Sequence, residues 1–137
     1  MKIHATAAFA VTAWDEQTWD GQPAAEIKGE KLTLAKVSYT YTGDLVGQSR
    51  FEYLMTYRAD GSGVFVGLER IEGSLLGRPG SLILEHSGTF DATSVRGEAV
   101  VVPNAGSGEL KSLQGHASIE LAGHMPQYPI IFELEID

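Results

Sequence analysis

Hydrophobic and polar residues alternate along most of the chain with the period of two that is typical of β-strands. Segments rich in Gly, Pro, Asp, Asn or Ser separate the alternating runs and are typical of turns. No long stretch has the period of 3.6 that an amphipathic helix requires. The predicted strands are residues 3–13, 31–42, 48–58, 63–75, 81–91, 94–102, 113–122 and 128–136.

These strands follow one another with short connections, which favours antiparallel pairing of neighbours in the sequence. We therefore predict an all-β fold, an eight-stranded up-and-down β-barrel with little helix, with a two-layer sandwich as the alternative. Only residues 15–30 form a longer connection, which we expect to cross one end of the barrel. Since no linker, fixed-period repeat or low-complexity tract interrupts the pattern, residues 1–137 are predicted to form a single domain.

The turn signals predict which side chains meet on neighbouring strands, provided that each tight turn contains an even number of residues. A turn on residues 60–61 pairs Glu52 with Glu69 on the inner face. Direct cross-strand partners have Cβ atoms about 4.5–5.5 Å apart, so the two carboxylates would be neighbours. A bulge or an odd loop at this turn would flip one strand and separate this pair.

Two further turns extend the inner face. A turn on residues 77–78 pairs Glu69 with His86 and leaves Arg70 outside, opposite Glu85. A turn on residues 92–93 pairs His86 with Ala99.

On the other side of the pair, a turn on residues 45–46 places Tyr39 beside Glu52. The predicted inner face thus carries a row of Tyr39, Glu52, Glu69 and His86. Gly67 and Gly88 on the same face would leave space above it. The opposite, outer face of the third and fourth strands is also apolar and predicts a covering segment or a subunit interface. The alternative is that this face is itself the core. Its residues are Tyr53, Met55, Tyr57, Val64, Val66 and Leu68.

Composition narrows the possible partners. The chain has 18 acidic and 10 basic residues, a formal net charge of -8, and no cluster of Lys and Arg. This disfavours nucleic acid and anionic membrane surfaces, which attract clustered cations. Cysteine is absent, which excludes disulfides and thiolate sites and is consistent with a cytoplasmic location. No run reaches the roughly 18 apolar residues that a membrane-spanning helix needs.

The predicted row suggests acid–base chemistry. Charge repulsion and loss of hydration disfavour the ionisation of both carboxylates when they are adjacent in an apolar lumen, so the pair would share a proton. Glu52, Glu69 and His86 are therefore the candidate catalytic residues, for an isomerisation or cyclisation. The inward-facing aromatic and aliphatic side chains are the candidate ligand-binding residues: Tyr39, Tyr41, Phe65, Leu84 and Phe90.

Other interpretations of the row remain open. It could be a hydrogen-bonded cluster that only stabilises the barrel, or it could line a binding lumen without chemistry. We predict no metal site, because no H-x-H or similar ligand pair accompanies the row. We also predict no cofactor, since no P-loop, Rossmann fingerprint or G-x-S-x-G motif is present.

Three segments carry a resemblance to a known family: "GDLVGQSRFEYLMTY", "DGSGVFVGLERIEGSLLGRPGSLILEHSGTF" and "GSGELKSLQG". Over roughly residues 30–120 the chain resembles an uncharacterised bacterial family, a domain of unknown function with an allene-oxide-cyclase-like barrel. The segment "GSGELKSLQGHASI" is also similar to the corresponding part of allene oxide cyclase and dirigent barrels.

This resemblance implies an eight-stranded antiparallel barrel that is commonly oligomeric, without an established reaction. Characterised relatives of the barrel steer cyclisations of small hydrophobic molecules in the lumen, often with a lumen Glu. Only Glu52 or Glu69 could have that role here, and no cysteine-dependent feature of allene oxide cyclase applies.

We therefore expect a barrel, allene oxide cyclase-like or lipocalin-like, that binds a small apolar metabolite in its lumen and is a homo-oligomer. Isomerase or cyclase activity is an extension of this hypothesis. The alternative is a non-catalytic structural or binding barrel that assembles through its apolar outer face.

Overall fold

The structure is a computed structural model that describes all residues 1–137, with nine β-strands and one short 3-10 helix, Ala24–Glu26. The strands are β1 (Lys2–Thr18), β2 (Lys31–Gly43), β3 (Leu45–Tyr57), β4 (Gly63–Leu75), β5 (Arg78–Phe90), β6 (Ser94–Val101), β7 (Ser107–Gly108), β8 (Gln114–Ala122) and β9 (Tyr128–Glu135).

Eight of the strands form one closed antiparallel barrel. Each strand pairs with its neighbours in the sequence, except that β6 pairs with β8, and β1 closes the sheet against β9. The two-residue strand β7 lies outside this ring and pairs with β5. The predicted eight-stranded up-and-down barrel with little helix is confirmed, and the sandwich alternative is wrong.

Alternation along the strands builds the core, because successive side chains on a strand point to opposite faces. On β2, for example, Ala35, Val37, Tyr39 and Tyr41 are buried while Lys36 is exposed. The inward-facing residues of all barrel strands contribute to one cluster of 24 buried hydrophobic residues. The middle of the lumen is therefore filled by side chains.

The predicted register between β3 and β4 is wrong by one residue. The connecting loop contains the five residues Arg58–Ser62, and this odd number flips β3 relative to the prediction. Glu52 lies opposite Leu68 on the exposed outer face, and Phe51 lies opposite Glu69 inside the barrel. The flip also turns inward three residues that were predicted to face outward: Tyr53, Met55 and Tyr57.

The predicted register between β4 and β5 is wrong by two residues, which preserves the faces but changes the partners. The turn lies on Leu76 and Gly77, both with positive φ, instead of residues 77–78. As a result, Glu69 faces Leu84, and His86 faces Gly67. The predicted pairing of His86 with Ala99 across β5 and β6 is confirmed.

The connection between β2 and β3 is shorter than predicted. Asp44 alone separates the two strands, so Tyr39 lies opposite Ser49, and Glu52 lies opposite Lys36. The predicted pairing of Tyr39 with Glu52 is therefore wrong. Asp44 fastens this tight corner to β1, because its side chain accepts a hydrogen bond from the Thr6 backbone N–H.

One end of the barrel is splayed. β8 and β9 pair over only four residues each, from the partners Gln114 and Glu135 to the partners Ala117 and Phe132. Likewise, β1 pairs with β9 only as far as Phe9, and the rest of β1 continues along β2 alone, after a register shift between Val11 and Ala13. The sheet is thus incomplete at this end, and space opens between the strands. The chain contains no helix with the length and apolarity to cross a membrane.

Candidate functional site

A hydrogen-bonded cluster lies at the centre of the barrel wall. Glu69 of β4 is fully buried, and its Oε1 lies 2.8 Å from Nε2 of His86 on β5. The Tyr41 hydroxyl of β2 donates to Glu69 Oε2 at 2.6 Å. These contacts use both carboxylate oxygens, which is how a buried carboxylate is normally satisfied. The prediction that Glu69 and His86 lie together inside the barrel is correct, although they are diagonal neighbours and not direct partners.

The surroundings of Tyr41 favour its neutral hydroxyl. Burial raises the pKa of Tyr41 well above its ordinary value of 10.0, and the nearby charge of Glu69 adds to this effect. Tyr41 therefore remains a hydrogen-bond donor to Glu69 throughout the physiological pH range. One nitrogen of the cluster has no partner, since Nδ1 of His86 is buried without a hydrogen bond.

Glu52 does not join this cluster. It is exposed on the outer face, where its cross-strand partners are Lys36 and Leu68. The adjacent carboxylate pair that would share a proton is therefore absent. Of the three predicted catalytic residues, the structure brings together Glu69 and His86 only.

The space expected above the row is occupied by aromatic rings. A Cβ placed on Gly67 would lie 2.8 Å from the Phe51 ring, and one on Gly88 would lie 2.8 Å from the Phe65 ring. Phe51 also lies against His86, with ring centroids 4.2 Å apart. The two glycines thus make room for side chains of the core and leave no ligand space there.

A cavity of about 810 Å³ lies at the splayed end of the barrel, and we call it the mouth cavity. Its inner wall is aromatic and aliphatic, with Tyr39, Tyr53, Met55 and Phe65 among the lining side chains. This volume is within the range of sites that hold a small organic molecule. Neither Glu69 nor His86 lines the cavity, and their side chains are 0% and 3% exposed.

Tyr39 and Tyr53 supply a polar group in this apolar wall. Their hydroxyl oxygens are 3.0 Å apart, so one hydroxyl donates to the other. Because two hydroxyls carry two hydrogens and this bond uses one, the pair retains one hydrogen to donate. Burial raises the pKa of Tyr39 well above its usual value, which keeps the hydroxyl protonated.

Two turns form the rim of the mouth cavity. In the β5–β6 turn, Asp91 accepts hydrogen bonds from the backbone N–H groups of Thr93 and Ser94, which lower the pKa of its carboxyl. In the β8–β9 loop, the Tyr128 hydroxyl accepts from the Met125 backbone N–H and donates to the Gly123 carbonyl. Both turns are therefore held in place by local hydrogen bonds.

The predicted ligand-binding residues divide between the two regions. Tyr39, Phe65 and Phe90 line the mouth cavity. Tyr41 and Leu84 are buried in the core and do not line it.

Several cavity residues were missed by sequence reasoning. Tyr53 and Met55 were assigned to the outer face by the wrong β3 register. The sequence of β3 itself indicates their inward orientation. Phe51, Tyr53 and Met55 form a more apolar face than the alternate positions of the strand, which include Glu52. Trp14 lines the cavity from the extension of β1, and its indole N–H donates to Glu16 at 3.1 Å.

A metal site is not formed by the residues described. No three side chains of His, Asp or Glu come close enough together to hold an ion.

Comparison with known proteins places the chain in a family. The model of a family described as a protein of unknown function, DUF3224, matches residues 5–132. The chain belongs to the DUF3224 family. This confirms the resemblance to a bacterial family of unknown function that the sequence motifs indicated.

A DUF3224 protein of unknown function from Shewanella oneidensis MR-1 has a similar crystal structure. The two sequences are 28% identical, and the match covers 100% of this chain and 99% of that one with a TM-score of 0.80. A search among curated proteins finds no match.

Proposed function

We propose that this DUF3224 barrel binds a small apolar molecule that carries a hydrogen-bond acceptor, and that the mouth cavity is the binding site. The observation that supports this most directly is the hydrogen-bonded Tyr39–Tyr53 pair in the lining of a cavity of about 810 Å³ whose inner wall is mostly hydrophobic. Such a combination, an apolar wall with few placed polar groups, is typical of small-molecule sites.

The chemistry of the wall defines the ligand class. Phe9, Met55, Phe65 and Leu121 offer apolar contacts, and no Lys or Arg lines the cavity. An anionic ligand would therefore lose its hydration without gaining a counter-charge from Lys or Arg. The remaining hydroxyl hydrogen of the Tyr39–Tyr53 pair suits a carbonyl, ether or hydroxyl oxygen on the ligand.

The geometry supports binding more than catalysis. An isomerase or cyclase would need an acid or base within hydrogen-bond reach of the bound molecule. Of the predicted acid–base residues, Glu69 and His86 are closed off from the mouth cavity, and Glu52 is on the outer surface. The titratable groups that do line the cavity, Asp91 and His124, are exposed residues of the two rim turns. In this proposal, Glu69 and His86 fix the barrel wall below the cavity and do not touch the ligand.

Competition between matched ligands tests the proposal. The neutral dye N-phenyl-1-naphthylamine reports occupancy through its fluorescence, and 2-acetylnaphthalene and 2-ethylnaphthalene compete with it. We expect the ketone to bind about 3- to 10-fold more tightly, the value of one net hydrogen bond. Replacing both Tyr39 and Tyr53 with Phe should remove this preference.

Tyr57→Phe is the matched control, because Tyr57 does not line the mouth cavity and donates instead to Glu16. This variant should retain the preference for the ketone. Equal affinities for the two ligands in the wild-type protein would refute the role of the tyrosine pair, and the absence of competition by both would refute the cavity as an apolar site.

The second candidate function is assembly of a homo-oligomer through the outer face of β2, β3 and β4. Leu32, Leu54, Val66 and Leu68 are between 45% and 56% exposed there, and Leu54 and Val66 are direct cross-strand partners. Contiguous exposed apolar residues of this kind are typical of protein–protein contacts. Sedimentation of the wild-type protein and of Leu54→Lys tests this: an oligomer that dissociates in the variant supports it, and a wild-type monomer refutes it.

A further inference from the structure

Two arginines face each other on the outer surface of the barrel. Arg50 of β3 and Arg70 of β4 are direct cross-strand partners, and both are exposed. Like charges in this arrangement repel, since directly opposite side chains on a sheet are close neighbours.

The carboxylates of the chain neutralise only one of the two. Arg70 is paired with Glu72, with 2.8 Å between Nη2 and Oε1. Arg50 has no carboxylate partner, because the other ion pairs of the chain involve different residues. Arg50, Arg70 and Glu72 together therefore carry two positive charges and one negative charge.

The two arginines lie in a groove of about 750 Å³, which we call the arginine groove. Polar side chains of the neighbouring strands line it: Thr12, Ser38, Thr40, Gln48 and Glu72. The register explains their convergence, since Ser38 is the cross-strand partner of Arg50, and Gln48 is the partner of both Thr40 and Glu72. Hydroxyl and amide donors of β2 and β3 thus stand next to the guanidinium groups.

We propose that the arginine groove binds an oxyanion, the phosphate or carboxylate group of a small molecule. A guanidinium group presents its N–H donors in a planar fork that matches the oxygens of these anions. The two facing guanidinium groups can bind one anion between them. The anion then attracts both groups and offsets the repulsion between their charges. Ser38, Thr40 and Gln48 offer further donors to its remaining oxygens.

This site is separate from the mouth cavity. The two share Tyr39 as their only common lining residue, and Arg50, Arg70 and Gln48 belong to the arginine groove alone. The ligand classes also differ, because no Lys or Arg side chain lines the mouth cavity. The two proposals can therefore fail independently.

Thermal unfolding with inorganic phosphate and with succinate as probes tests the inference, against sodium chloride at equal ionic strength. We expect either anion to raise the Tm of the wild-type protein and to shift the side-chain Nε–Hε NMR signals of Arg50 and Arg70. In Arg50→Gln, the affinity for the anion should fall about tenfold or more, the value of a charge-assisted hydrogen bond.

Arg96→Gln is the matched control. Arg96 is another exposed arginine on a barrel strand, but it faces Thr89 and Glu120 and no second arginine. Arg50→Glu should lose anion binding and gain stability without the anion, because its carboxylate can pair with Arg70. Failure of both probes to bind the wild-type protein, or equal binding by wild type and Arg50→Gln, would overturn the proposal.

Discussion

Oε1 of Glu69 lies 2.8 Å from Nε2 of His86, although the two residues are not direct cross-strand partners. The two-residue shift of the β4–β5 register places Gly67 opposite His86, and the Phe51 ring packs into the space that this glycine leaves. The carboxylate and the imidazole therefore bond diagonally beneath an aromatic layer. This layer separates them from the mouth cavity, which supports the proposal that they stabilise the barrel and do not touch the ligand.

Glu69→Gln tests that structural task. An ionised carboxylate accepts hydrogen bonds from both Tyr41 and His86, whereas an amide nitrogen can face His86 only if the imidazole moves its hydrogen to Nδ1. That nitrogen is buried without a partner. We expect the free energy of unfolding to fall by about 1–3 kcal/mol, the cost of one unsatisfied buried polar group.

Glu52→Gln is the control for this variant, since Glu52 is exposed on the outer face. Its effect should stay within about 0.5 kcal/mol, as for most surface substitutions. Urea unfolding of both variants measures the difference. Equal losses of stability in the two would contradict the assignment of Glu69 to the buried cluster and Glu52 to the surface.

The buried tyrosines predict a loss of stability in alkali. Burial raises the pKa of Tyr39 and Tyr41 above the ordinary value of 10.0, so the folded protein keeps these protons at a pH where the unfolded chain loses them. The unfolded state then binds fewer protons, and the free energy of unfolding decreases as the pH rises. The stabilisation is complete below pH 10 and declines above it by up to about 1.4 kcal/mol per pH unit for each tyrosine.

Urea unfolding between pH 8 and pH 11 measures this decline. Tyr39→Phe should make the curve less steep above pH 10 and leave its slope below pH 9 unchanged. A wild-type curve that remains flat up to pH 11 would show that these hydroxyls are not protected by burial.

Gly67→Ala tests the packing of the aromatic layer. The added methyl group would lie 2.3 Å from the Glu52 carbonyl oxygen and 2.8 Å from the Phe51 ring, so strands or ring must move. We expect a loss of about 1–3 kcal/mol, as for other overpacked cores. The adjacent Val66→Ala, on the exposed outer face, is the control in the same unfolding assay. A Gly67→Ala protein as stable as wild type would mean that the space is not filled as described.

The sequence pattern predicted the strands well because each face of a barrel strand has one environment. The eight runs correspond to the eight strands of the ring, and the inner faces of β2, β4 and β5 were assigned correctly. The period of two is a property of each strand alone. It does not depend on how the strand is aligned with its neighbours.

The partners across strands were harder to predict, because they depend on the length of each turn. Asp60 and Gly61 are a strong signal for a two-residue turn, yet the loop extends over five residues and is closed by hydrogen bonds between Arg58 and Ser62. In the next turn, Leu76 has a φ of 48°, a backbone conformation that residues other than Gly, Asn and Asp rarely adopt. The sequence instead favours a turn that begins at Gly77. That prediction gives Glu69 the partner His86, two residues away from its actual partner Leu84.

The mouth cavity could not be predicted from the pattern at all. It exists because the β8–β9 ladder ends at Ala117 and Phe132 and because β9 begins at Tyr128, opposite Phe9, so that β1 extends beyond it. Both features depend on how far neighbouring strands of the closed barrel remain paired. The alternation of residues along a single strand does not determine this.

Binding of N-phenyl-1-naphthylamine tests the central claim most directly, with the mouth cavity blocked in one variant. Leu121 lines the cavity, whereas Ser118 on the same strand is exposed on the outer face, so Leu121→Trp fills the cavity and Ser118→Trp does not. We predict saturable fluorescence enhancement for the wild-type protein and for Ser118→Trp, and its loss in Leu121→Trp. No saturable binding by the wild-type protein, or equal binding by all three, would contradict the mouth cavity as the ligand site.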